Sequence, residues 1–128
     1  MSSFTLRNLR DVEDSAPKFG LDAVGEARFA REELGAEQSG VAYHRLKPGC
    51  RQSFGHRHDE AEEVHVVLSG GGRVRMDEEI VELRPLDALR IAPAVTRAFE
   101  AGPDGMELLV FGAHHEGDGA LVPDFWPA

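Results

Sequence analysis

The chain has 128 residues, with 23 acidic against 14 basic side chains and a formal charge of -9. That length supports one hydrophobic core and not two, and the acidic balance repels phosphate backbones and anionic lipid surfaces, which sets nucleic acid and membranes aside as partners. Cys50 is the single cysteine, so an internal disulfide and a sulfur-rich metal site are both excluded, and a reducing compartment suits the chain. Charges recur through the first 20 residues and no apolar run approaches a membrane span, so the expected location is cytoplasmic.

In chain order, Leu6, Leu9 and Val12 fall three apart, as in one short amphipathic helix or a loosely ordered arm, and Pro17 and Gly20 break the pattern. Residues 26–31 alternate as an edge strand does, and residues 41–46 read as a strand closed by Lys47-Pro48-Gly49. Gly70-Gly71-Gly72 reads as a turn. It leads into the alternating segment 73–76 and opens no helix, which excludes a phosphate loop. Further strands are expected over 80–83, 88–91, 96–99 and 106–111, with Gly102-Pro103-Asp104-Gly105 turning the chain between the last two. His114, His115, Glu116 and Asp118 sit among glycines and read as a solvated turn, and the apolar tail 121–126 should pack on its own barrel or on a partner. Eight or nine short strands, with 14 glycines and 7 prolines spread among them, predict one all-β domain, a sandwich or barrel. Its expected parts are an N-terminal arm over 1–25, a barrel over about 41–112 and a C-terminal tail over 113–128.

The chemistry concentrates between Pro48 and Gly70. His56 and His58 are one residue apart, and in an extended strand such residues point to the same side. Asp59 to Glu62 are too polar to continue a buried strand, so the apolar run 64–68 begins another, and a tight reversal between the two is the economical reading. Hairpin neighbours lie about 4.8 Å apart, which brings Glu63 to the space before the two imidazoles. Two imidazoles and one carboxylate, with coordination positions left open, suit a divalent transition metal such as non-haem iron. The competing reading is a solvated turn whose histidines do nothing. Glu62 is the alternative acid, but alternation turns it away from the face of Glu63.

Gly49, six residues, His56-x-His58, four residues, Glu63, six residues and Gly70 resemble the first conserved motif of the cupin superfamily, with an opening interval one residue longer than usual. The resemblance implies a cupin-type double-stranded β-helix, a jelly-roll barrel, with His56, His58 and Glu63 as the first three metal ligands. The second motif of that family does not fit: its positions hold Leu86, Ala92, Ala94, Arg97 and Ala101. Arg97 stands where the fourth ligand is expected, and a guanidinium has no lone pair to donate. The stretch from Arg51 to His58 is similar to a subset of small bacterial cupins that also carry Arg there.

His65 lies two residues beyond Glu63 on the same face and is the candidate catalytic acid or base, the alternative being a buried neutral histidine. Arg97, Gln52 and Tyr43 are the candidate substrate-binding residues, and Phe54 is expected at a pocket mouth or in the core. The resulting expectation is a barrel binding one divalent ion (Fe, Mn, Zn or Ni) and a small molecule, as an oxygenase or isomerase does. The alternative is a metal-free barrel for a small anion, with Arg97 paired to Glu63 or clamping the ligand, and a purely structural barrel is the weakest choice. Open sheet edges, the N-terminal arm and the apolar tail predict a homodimer.

Overall fold

In the computed structural model, which describes residues 3–113 and 115–127, eight strands join in a single curled antiparallel sheet. Two long strands organise it. β4 (Glu63–Met76) and β7 (Arg97–Gly112) pair along nearly their whole length, and four of the other six strands pair directly with one of them. β1 (Gly25–Phe29), β2 (Val41–Leu46), β7, β3 (Gly55–His58) and β8 (Gly119–Val122) follow one another in that order, while β5 (Glu79–Leu83) and β6 (Ala88–Ile91) pair with β4. The architecture is the all-β barrel expected. Leu46, Val67, Val74, Leu83, Ile91, Phe99, Met106 and Leu108 alternate inward from different strands and form its apolar core. Among the described residues no helix is long and apolar enough to cross a membrane.

Two expected turns lie inside the long strands. Residues 102–105 make a local excursion opposite Gly71, where the register moves from Gly70↔Met106 to Gly72↔Ala101, and the chain does not reverse. Turn-forming residues here build a bulge, which bends the paired strands and deepens their twist. Gly70 has a φ of 69°, and a Cβ on it would stand 2.0 Å from the carbonyl oxygen of Gly105. The glycine run is therefore required by close approach of two backbones, not by a chain reversal.

The arm and the tail, as far as they are described, both join the barrel. The arm forms a short 3-10 turn, Leu9–Asp11, and buries Val12 and Ala16. The tail adds β8 along β3, then lays Phe125 and Trp126 on the same barrel. Trp126 Nε1 donates to the Gln52 carbonyl at 2.7 Å, and the Arg51 guanidinium lies 4.5 Å from the indole centroid. The Arg75 guanidinium lies 4.5 Å from the Phe125 ring, which packs so closely on Gly55 that a Cβ there would be 2.9 Å from it. β3 thus meets β7 through one residue pair, His56↔Arg97, but meets β8 through all four of its residues.

Candidate metal centre

Arg57 separates the two histidines of β3, so alternation turns both imidazoles to the concave face of the sheet. Glu63 opens β4, but β3 and β4 are not hairpin neighbours. Each pairs with β7, β3 at Arg97 and β4 along its length, so Glu63 meets the histidines across the concave face. Its Oε2 lies 3.3 Å from His58 Nε2, and its Oε1 lies 3.7 Å from His56 Nε2, 3.3 Å from His65 Nε2 and 3.6 Å from Arg97 Nη2. One carboxylate therefore faces three imidazoles and a guanidinium. Glu62 points outward and pairs with Arg90.

The donors fit an ion. One ligand atom from each of His56, His58 and Glu63 lies within 4.8 Å of the others. Donors about 2.0–2.1 Å from a common ion are roughly 3.0–3.4 Å apart, so small side-chain rotations would complete the set. Among the described residues, every buried side-chain polar atom without a hydrogen-bond partner belongs to this cluster: His58 Nε2, Glu63 Oε1, both nitrogens of His65, and Arg97 Nε and Nη2. Folded proteins rarely leave such groups unpaired, and here the residues that carry them gather around the Glu63 carboxylate.

Burial alone would push the Glu63 carboxyl up. The surrounding imidazoles of His56, His58 and His65 more than offset this and hold it far below the usual carboxylate range. The same carboxylate raises the His58 pKa against the opposing effect of burial, whereas burial dominates at His65 and lowers it. His65 is 4% exposed, with its ring 4.9 Å from that of Phe99, so it supports Glu63 from below.

Arg97 is fully buried at the start of β7, flanked by His56 of β3 and Met76 of β4. Its Nη1 donates to the carbonyls of Val95 at 2.9 Å and Pro93 at 3.3 Å. It stands behind Glu63 with strands on both sides covering it, and of the two expected roles, pairing with Glu63 or clamping a ligand, the geometry displays the pairing. Burial lowers its pKa, opposed by Glu63, Asp118 and Asp77.

The cavity before the cluster measures about 870 Å³, with Leu46, Phe54, Phe99 and Leu108 among its apolar walls. Gln52 also lines it, with its Oε1 accepting from the Phe99 N–H at 3.1 Å, which anchors the side chain to β7. Tyr43 does not line it. On β2 the inward residues are Ala42, His44 and Leu46, so alternation turns Tyr43 to the outer face, where its hydroxyl meets Glu107 Oε2 at 2.5 Å.

His44 is the cavity residue that sequence reading passed over. Removal from water, together with His65 and His56 and against Glu63, lowers its pKa from 6.5 to about 4. An unfolded imidazole protonates near 6.5 and the folded one only near 4. The stability contributed by neutral His44 is complete above the first value and is lost as pH falls towards the second. Partial exposure to the cavity limits the effect to on the order of 2 kcal/mol. Urea denaturation at about pH 7.5 and about pH 4.5 should show a smaller loss of stability in His44→Gln than in the parent protein. An equal loss in both would place the acid sensitivity elsewhere.

Asp118 was read as part of a solvated turn, yet it is 8% exposed and its carboxylate sits under the loop that follows β3. Oδ1 accepts from the backbone N–H groups of Asp59 at 2.6 Å and Glu60 at 2.7 Å, and Oδ2 from Ala61 at 3.1 Å. Oδ2 also lies 3.1 Å from His58 Nδ1. His115 pairs with Glu60 at 3.1 Å, and His114 lies outside the described residues.

By sequence, no family model and no curated protein matches this chain. Solved structures do. A cupin protein from Bacteroides fragilis superimposes with a TM-score of 0.73 at 24% identity, covering 91% of this chain and 89% of that one. Oxalate decarboxylase from Bacillus subtilis gives a TM-score of 0.72 at 24% identity over 91% of this chain, which spans only 32% of the decarboxylase. A putative sugar phosphate isomerase from Acidithiobacillus ferrooxidans gives 0.66 at 24% identity, covering 77% of this chain and 65% of that one. With the curled antiparallel barrel and the histidine pair on its concave face, these matches establish that the chain has the cupin fold.

Proposed function

We propose that the protein holds one divalent transition ion on His56, His58 and Glu63 and binds a small molecule in the adjoining cavity, as a metal-dependent enzyme of the oxygenase or isomerase type. The observation that carries this reading is the convergence of unpartnered buried polar atoms on one donor set. A bound ion would supply Lewis-acid or redox chemistry at the cavity floor. The chain's own residues would divide the remaining work: Glu63 and the two histidines orient the ion, His65 and Arg97 fix Glu63, and the apolar walls exclude water. Two of the similar structures are named for oxalate and for a sugar phosphate, which favours a small anionic ligand. Metal analysis of protein purified without a histidine tag should find about one ion of Fe, Mn, Zn or Ni per chain.

The second reading is a metal-free barrel for a small anion. It is favoured by Arg97 Nη2, 3.6 Å from Glu63 Oε1, which compensates the carboxylate without an ion. A metal content near zero, unrestored by dialysis against those ions, would select it.

A further inference from the structure

We infer that Asp118 is a positioning residue of this site: it holds His58 in the tautomer with the proton on Nδ1, so that the Nε2 lone pair is the one turned towards Glu63. The inference concerns the ring itself, and its consequence for an ion rests on the metal-binding reading above.

An ionised carboxylate offers about four lone-pair positions and no proton. At Asp118 four donors surround them: the N–H groups of Asp59 and Glu60 on Oδ1, and that of Ala61 with His58 Nδ1 on Oδ2. The three backbone groups can only donate, so they stabilise the charged form of the acid. The Nδ1–Oδ2 contact at 3.1 Å has hydrogen-bonding geometry, and because an ionised carboxylate only accepts, Nδ1 carries the hydrogen; the approach of Nε2 to Glu63 lacks that geometry. A neutral His58 then has its lone pair on Nε2, which is buried, has no hydrogen-bond partner and lies 3.3 Å from Glu63 Oε2. A lone pair and a carboxylate oxygen repel one another unless a proton or a cation stands between them. The carboxylate behind the ring therefore selects which nitrogen offers itself to that position, as the outer partner of a metal-bound histidine does.

The backbone explains why this acid can act so far along the sequence. Asp118 immediately precedes β8, and Gly119 of β8 is in register with His58 of β3. Strand pairing therefore delivers the carboxylate to the imidazole, while the three N–H contacts lock it beneath the loop after β3.

Two-bond nitrogen–proton correlation spectra of 15N-labelled, metal-free protein, recorded above the titration of His58, read the tautomer directly. The parent protein should give the pattern of a protonated Nδ1 and a bare Nε2; the reverse pattern would overturn the inference without recourse to any variant. In Asp118→Asn the Oδ1 contacts can persist, but the amide nitrogen turned to the ring donates to Nδ1 and should move the proton to Nε2. Calorimetric titration with Zn²⁺ should then show affinity lower by roughly 10–100-fold. A folded Asp118→Asn variant that keeps the parent tautomer, or one that switches tautomer yet binds Zn²⁺ as the parent does, would also overturn it. A purely structural role would lower the melting temperature and leave the ring pattern unchanged. If the parent shows the expected tautomer and takes up no Zn²⁺, the positioning inference stands and the metal-binding reading fails.

Discussion

Replacing Arg97 with histidine is expected to raise the affinity of the site for a divalent transition ion by at least about tenfold. The guanidinium has no lone pair, stays protonated and lies 3.6 Å from Glu63 Oε1. An ion on His56, His58 and Glu63 would lie on the order of 5 Å from that charge, where the repulsion is about 7 kcal/mol at an effective dielectric of 20. Even a fifth of this, after compensation by Glu63, corresponds to about a factor of ten. The substitution also forfeits the hydrogen bonds to the Val95 and Pro93 carbonyls, so stability should fall by about 1–3 kcal/mol. Calorimetric titration with Zn²⁺ or Mn²⁺ at neutral pH, well below the melting temperature, measures the affinity. An unchanged value in the folded variant would show that the buried cation does not oppose an ion at the three donors.

Glu63→Gln should be the most damaging single change in the site. It keeps the shape of the side chain and removes the charge towards which Arg97 and three histidines are turned. Arg97, with no exposed surface, would then be a buried cation without its nearest counter-charge. Breaking one side of a buried pair costs about 3–5 kcal/mol, chiefly the penalty of the charge left behind. Urea denaturation should show a loss of that order, and metal content should fall below detection. Combining the change with Arg97→Met, which removes the stranded charge at similar volume, should restore most of the stability and none of the metal binding. A loss below about 1 kcal/mol for Glu63→Gln alone would mean that the pair contributes little to the folded state.

What could be read from the sequence was what local alternation governs. His56 and His58 share a face because they are two apart on one strand, and His65 follows Glu63 to the same face for that reason. The same rule, applied with Leu46 as the inward anchor of β2, selects His44 and rejects Tyr43; without knowing which residue was inward, the sequence left the face open. Strand pairing was the part that remained illegible. The short polar segment after His58 suggested a hairpin, but β3 pairs with β7 and β8, while β4, which carries Glu63, pairs with β6 and β7. Gly70 to Gly72 and residues 102–105 have the composition of turns, yet they form a matched bulge in two long strands, because glycine serves close backbone approach as well as reversal. Asp118 was misread for the most basic reason. Its partners lie 57 to 60 residues away, and nothing in the spacing of a lone Asp-Gly pair signals a loop of unpaired N–H groups so far upstream.

The dependence of β3 on β8 and the aromatic tail has a consequence for how the folded molecule opens. β3 has one residue in register with β7 and four with β8, so the strand bearing His56 and His58 is tied to the large sheet mainly through the segment 118–126. That segment supplies the β8 ladder, the Asp118 carboxylate under the loop and the Phe125 ring on Gly55. β8 is short and mostly exposed, so a local opening that detaches it would loosen the histidine-bearing strand while β4 and β7 stay paired, and the amides of β3 should exchange with solvent sooner than those of the long strands.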